Sequence, residues 1–162
     1  MRVSVRRWEI DVLLEETRRA YAARGQGGPE ACGCLHCRNF AAARSFAYPA
    51  EALAILTFLG VDSSCEAEVW HYGEVSPGVH LYGGCFHLAG RLHAGADASR
   101  QATQSSWIMD LAPVTESFRL GVSTKLTLVP KSFKGLPLVQ LDFQAHVPWL
   151  LAEPFSPGKR PG

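Results

Sequence analysis

The spacing of hydrophobic residues changes along the chain, from the three-to-four repeat of a helix face to the two-residue repeat of a strand. The helical repeat comes first and predicts a helix that begins at about Arg7 or Asp11 and ends at Arg24. The glycine- and proline-rich residues 25–29 predict its end. Its apolar face is formed by Ile10, Leu13, Leu14, Thr17 and Tyr21.

A second helix is predicted between Pro49 and Gly60, since proline is tolerated in a first helical turn and glycine favours a helix end. Its residues are apolar almost all round, which is typical of a buried helix. The alanine-rich residues 38–44 add one or two helical turns before it. We therefore expect the second helix to lie at the centre of the fold.

Apolar and polar residues alternate from Glu66 onward, which predicts strands. The predicted strands cover residues 66–72, 79–92, 116–128 and 138–147. Helices followed by strands favour an α+β fold, with the N-terminal helices packed on one face of a mainly antiparallel sheet of about four to five strands. The residues expected in the core are Leu53, Leu56, Leu59, Val139, Leu141 and Phe143.

The composition is that of one globular domain: 162 residues, 47% hydrophobic, 19% charged and a net charge of +1. We expect the domain to span residues 1–152 and a flexible tail to span 153–162. The small net charge makes a nucleic-acid partner unexpected. The longest apolar run, 52–61, is too short to cross a membrane, and polar residues near Trp8 break any signal sequence. A soluble, cytoplasmic protein is predicted.

The sequence Cys32-Gly33-Cys34-Leu35-His36-Cys37 contains three of the five cysteines. Cys34 and Cys37 have the C-x2-C spacing that lets two sulfurs face one zinc ion, and Cys32 lies two residues before them. Zinc is therefore the predicted metal. Two alternatives stay open: the thiols could be redox-active, although the βαβ context of such sites is missing, or they could form disulfides, although five is an odd number.

A closed zinc site has four protein ligands, so a second group of donors is needed. Cys85 and His87 are the best candidates, because residues i and i+2 of a strand share one face and the preceding glycines permit close approach. The predicted metal ligands are Cys32, Cys34, Cys37, Cys85 and His87. The alternative is that Cys85 is a small buried hydrophobe and His87 a buried, hydrogen-bonded side chain.

The remaining histidines carry no ligand spacing. His36 lies between two cysteines and is expected to point away from the ion. His71, His80, His93 and His146 are isolated in the sequence and are predicted to be structural or solvated.

Two functions fit this pattern. A closed structural zinc site would belong to a binding or adaptor module, with an unknown protein partner, since four protein ligands leave no position for substrate. The alternative is a zinc-dependent hydrolase-type metalloenzyme with an open water position and Glu66, Glu68 or Glu74 as the base. The zinc deaminase signature is excluded, because no His-x-Glu occurs and Gly33 stands where that signature has proline.

Overall fold

A computed structural model describes residues 1–156, which contain four α-helices and nine β-strands. The helices are α1 (Leu14–Ala22), α2 (Gly28–Cys32), α3 (Leu35–Ala47) and α4 (Ala50–Phe58). The strands are β1 (Arg2–Val5), β2 (Trp8–Val12), β3 (Glu68–Ser76), β4 (Val79–Ala94), β5 (Ser99–Gln101), β6 (Trp107–Met109), β7 (Ala112–Pro113), β8 (Phe118–Ser123) and β9 (Leu138–Pro148). A single 3-10 turn spans Lys131–Phe133.

Seven of the strands form one sheet in the order β1-β2-β4-β9-β8-β7, with β3 also paired to β4, and every pairing is antiparallel. Strands β5 and β6 form a separate hairpin. The predicted α+β class, with a mostly antiparallel sheet, is confirmed. The sheet has more strands than the four to five expected, mainly because the chain begins with a hairpin.

That hairpin corrects the first predicted helix, which was expected to begin at Arg7 or Asp11. Residues 2–5 and 8–12 instead form β1 and β2, with buried and exposed residues in alternation, and the chain turns at Arg6 with a positive φ of 55°. The position of Ile10 fits both the two-residue repeat of a strand and the three-to-four-residue repeat of a helix, which is why the pattern was compatible with either. The helical pattern that remains, from Leu14 onward, forms α1.

Helix α1 lies beside the part of one edge of β4, the longest strand, that pairs with no other strand. Strands β3 and β2 pair with the two ends of that edge and leave residues 86–89 between them. The Tyr21 hydroxyl donates to the His87 carbonyl at 2.8 Å, and the Ala89 amide donates to the Thr17 hydroxyl at 3.1 Å. Side chains of α1 therefore satisfy backbone groups that a neighbouring strand would otherwise satisfy.

The predicted core is largely confirmed, and the exception lies in α4. Leu56 is 1% exposed, but Leu53 is 39% and Phe58 55% exposed, so α4 buries one face and is not central. The other expected core residues, Leu59, Val139, Leu141 and Phe143, are buried. Helix α3 lies nearer the centre. Its Phe40 ring packs against Tyr48, which directly follows the helix, and against Tyr82 and Phe143 of the sheet.

The two faces of the central strands carry different residues. Phe86 of β4 lies opposite Leu141 of β9, and both belong to the hydrophobic core. Cys85 lies opposite Asp142, and His87 lies opposite Gln140. Because side chains alternate along a strand, these polar pairs lie on the other face of the sheet.

The chain end packs partly on the domain. The expected tail begins at Glu153, yet Glu153 forms an ion pair with Arg38 and accepts a hydrogen bond from the Trp149 indole at its carbonyl. The Phe155 ring lies 4.7 Å from the His80 ring, measured between centroids. Residues 157–162 of the expected tail lie outside the described residues.

Replacing Leu56 by alanine should lower the free energy of unfolding by about 2–5 kcal/mol, because it removes a buried side chain and leaves a cavity. Leu53→Ala is the matched control on the same helix and should change it by about 1 kcal/mol or less. Urea unfolding of both variants measures the difference. Equal losses would contradict the orientation of α4.

Candidate metal centre

Three cysteine sulfurs converge where α2 ends and α3 begins. Cys32 is the last residue of α2, Gly33 takes a left-handed φ of 64°, and Cys34 is the N-cap of α3, so that Cys37 falls in the first turn of that helix. The sulfurs of Cys32, Cys34 and Cys37 all lie within 4.8 Å of one another. Sulfurs bound tetrahedrally to one zinc ion, each at about 2.3 Å, are about 3.8 Å apart. The predicted convergence of Cys34 and Cys37 is confirmed.

The three thiols differ in environment. Cys32 and Cys34 are exposed and Cys37 is buried. Partial burial opposes ionisation of Cys34, but the Cys37 amide, the neighbouring thiols and the His36 amide outweigh it and lower its pKa. Burial, together with the thiols of Cys34 and Cys32, raises the pKa of Cys37. Cys34 is therefore the thiol most ready to bind a metal as thiolate, and a bound cation would favour ionisation of the others.

The turn that carries these thiols is held by Glu66, which precedes β3. Its buried carboxylate accepts two hydrogen bonds from Arg44, at 3.0 and 2.9 Å, and one from the Tyr48 hydroxyl at 2.7 Å. Its carbonyl accepts the Gly28 amide at 2.8 Å at the start of α2. A side chain on Gly28 would lie 2.5 Å from the Ala67 carbonyl, so this close approach requires glycine.

Cys85 and His87 do not join the thiols. Within residues 1–156, the group of metal-binding atoms around Cys34 contains only the three loop cysteines. The Cys85 sulfur lies 3.8 Å from the Thr127 hydroxyl, and burial, followed by the Asp142 carboxylate, raises the pKa of Cys85 to about 12. The inference that Cys85 and His87 share a sheet face is correct, but residues after β8 cover that face.

The His87 ring is fully buried and packs beside Phe133, with ring centroids 6.0 Å apart. Burial, reinforced by Arg24, lowers the pKa of His87 to about 4, so the ring is neutral at pH 7. Among the described residues, neither of its ring nitrogens has a hydrogen-bond partner. The sequence-based alternative of a buried His87 is therefore confirmed in its burial.

A cleft of about 350 Å³ adjoins the thiols. Cys32, Cys37, Glu68 and Leu128 contribute to its wall. Of the three acidic residues considered as a base, Glu68 is the one that lines this cleft. Glu66 is buried in the Arg44 pair, and the Glu74 carboxylate accepts the Gly78 amide at 2.9 Å in the β3–β4 turn.

A cluster of three histidines was missed at the sequence level. The His36 and His71 rings stack with centroids 4.3 Å apart, and His71 Nε2 lies 2.9 Å from His80 Nδ1. His36 thus points away from the thiols, as expected, while His71 and His80 are not isolated. The β3–β4 hairpin brings these two together through an irregular register, which the sequence alone does not specify.

Comparisons with family models, with curated proteins and with solved structures find no match to this chain. None of the helices within residues 1–156 has both the length and the apolar character needed to cross a membrane. The class that the fold and the site define is an α+β domain with a three-cysteine group that could hold a metal ion.

The histidine cluster should make stability fall with acidity. Burial, followed by His36 and His80, lowers the pKa of His71 from 6.5 to about 4. Between those values the unfolded chain binds a proton at His71 and the folded chain does not, so stability is lost as the pH falls from about 6.5 to about 4.

Urea unfolding at several pH values tests this expectation on the parent and on His71→Gln. The difference between their free energies of unfolding isolates the contribution of His71 and its coupling to His80. The parent should lose more stability than His71→Gln over that window. His146→Gln, at an exposed histidine, is the control and should follow the parent. Parallel curves for the parent and His71→Gln would contradict the expectation.

Proposed function

We propose that this protein is a small zinc-binding module whose ion is held by the thiolates of Cys32, Cys34 and Cys37. The observation that carries the proposal is the convergence of three sulfurs, from the ends of two helices, within 4.8 Å of one another. Thiolate ligands select soft metals, and the C-x2-C spacing is typical of zinc.

The ion would act as a local brace. Helix α2 has five residues, which is too short to be stable in isolation, and the glycine turn separates Cys32 at its end from Cys37 of α3. A metal bound across this turn would fix the two helix ends relative to each other. None of the three cysteines belongs to the hydrophobic core cluster, so the domain should fold without zinc and gain stability when zinc binds.

The fourth coordination position supports a role as a binding or adaptor module. In the part of the chain that the structure describes, three donors are grouped, while a closed zinc site needs four. Leu128, beside the thiols, is 66% exposed and has a positive φ of 47°, which is unusual for a residue other than glycine. An exposed apolar side chain next to an incomplete metal site suits a protein partner that supplies a cysteine or histidine.

A second function, zinc-dependent hydrolysis, is favoured by one observation: Glu68 lines the same cleft as Cys32 and Cys37. A water in the fourth position would have its pKa lowered by the ion, and Glu68 could take up its proton. The ligand set argues for the binding role, because catalytic zinc sites use histidine and carboxylate ligands more than three thiolates. Glu68→Gln separates the two functions of the thiol site, since it would abolish zinc-dependent hydrolysis and leave zinc binding unchanged.

Unpaired thiols so close together require a reducing environment to bind metal, and we place the protein in the cytoplasm on that ground. We propose no membrane partner, and the small net charge gives no support to a nucleic-acid partner.

Zinc titration against a chromophoric chelator tests the three-thiol site. The parent should bind one zinc per chain, and Cys34→Ser should weaken binding more than about 100-fold, since loss even of outer-sphere partners costs 10- to 100-fold. Cys85→Ser and His87→Ala are the matched controls and should keep the parent affinity. Loss of zinc in both controls, with Cys34→Ser unaffected, would refute the site.

A further inference from the structure

The face of the sheet opposite the helices carries a second cleft, of about 210 Å³, which the thiol site does not use. Residues of β3, β8 and β9 and of the segment after β8 line it, among them Trp70, Ser123, Lys125 and Asp142. The volume equals that of about seven waters at ~30 Å³ each. It suits a compact molecule of roughly seven to ten non-hydrogen atoms.

Asp142 lies at the base of this cleft and is only 3% exposed. Its carboxylate accepts the Ser123 hydroxyl at 2.6 Å and the Gln140 amide at 2.7 Å. The Gln140 carbonyl oxygen accepts the Thr127 backbone amide at 2.8 Å, which fixes the orientation of the Gln140 side chain. The donors around Asp142 are therefore arranged to favour its ionised form.

This buried carboxylate forms no salt bridge within residues 1–156. Lys125 also lines the cleft, but its ammonium lies 3.5 Å from the centroid of the Trp107 ring. The Lys125 charge favours the ionised form of Asp142 but does not form an ion pair with it, so a cation that entered the cleft would supply the pairing that a buried carboxylate needs.

Three further features point to an organic ligand. Ser99 lines the cleft and is 9% exposed, yet its hydroxyl has no hydrogen-bond partner in the described part of the chain. Trp70 forms an aromatic wall whose indole lies on Gly83, where a side chain would come within 2.4 Å of the ring nitrogen. Glu68 adds a second carboxylate to the lining.

We propose that this cleft binds a small organic cation that carries an ammonium or guanidinium group. The charged group pairs with Asp142 and Glu68, the Trp70 ring contacts its face or its alkyl part, and the Ser99 hydroxyl accepts one hydrogen bond from it. A bare divalent ion fits less well, because hydrogen bonds among Ser123, Gln140 and Asp142 already engage several of the oxygens that line the cleft.

Isothermal titration with agmatine and with putrescine tests the proposal, and 1,4-butanediol is the neutral counterpart of putrescine. At least one of the two cations should bind one to one with a dissociation constant at or below about 1 mM, and the diol should not bind. Asp142→Asn, which keeps the size of the side chain, should weaken the binding at least tenfold. Asp11→Asn, at a half-exposed carboxylate that pairs with Arg2 outside the cleft, should leave it unchanged.

Cys34→Ser should bind the same cation as well as the parent does, so failure of the zinc site and failure of this site are distinguishable. Binding should also weaken as the pH falls below about 6. Burial, reinforced by the Asp97 carboxylate and opposed by the Ser123 and Gln140 hydrogen bonds and by Lys125, raises the pKa of Asp142 to about 6, and a neutral Asp142 no longer attracts a cation. Equal binding of the diol, equal binding of magnesium, no binding of either cation, or an unaffected Asp142→Asn protein would each overturn the proposal.

Discussion

The buried carboxylate of Glu66 is the constraint on which the arrangement of the helices depends. A charge in this position requires a counter-charge close by, and Arg44 provides it with two hydrogen bonds while also pairing with Glu30 at 2.7 Å. The Glu66 carbonyl accepts the Arg24 guanidinium at 2.8 Å and the Gly28 amide at the same distance. One residue therefore connects α1, α2 and α3 to the beginning of β3.

The position of the thiols follows from that connection. Helix α2 is fixed at its start by the hydrogen bond from Gly28 to Glu66, and α3 is fixed in its last turn by the Arg44–Glu66 ion pair. The glycine turn between these helices brings the exposed Cys32 and Cys34 together with the buried Cys37. A zinc ion there would join two helix ends that the ion pair already holds in place, which fits a brace on a preformed turn.

The local features of the fold could be predicted from the sequence, and the long-range ones could not. The C-x2-C spacing acts over one helical turn, so it correctly predicted the convergence of Cys34 and Cys37. The alternation around Phe143 likewise predicted a buried strand. The N-terminal hairpin was missed because Ile10 and its neighbours fit both the strand repeat and the helix repeat. The strands β1 and β2 are favoured by their pairing with each other and by the pairing of β2 with β4.

The error over Cys85 and His87 has a similar origin. The two-residue repeat shows that they share a face, but which face meets the helices depends on the register of β4 against β9. The histidine cluster and the Asp142 cleft also depend on register, because their members come from different strands and from α3. Residues of this kind become neighbours only when the whole sheet has formed.

X-ray absorption at the zinc edge of the zinc-loaded protein tests the three-thiolate centre most directly. We expect a first shell of three sulfurs at about 2.3 Å and one nitrogen or oxygen at about 2.0–2.1 Å. That shell would establish three cysteine ligands and one position that this group of thiols does not fill. A shell with fewer than three sulfurs, a shell of four sulfurs, or a protein that retains no zinc would contradict the three-thiolate centre.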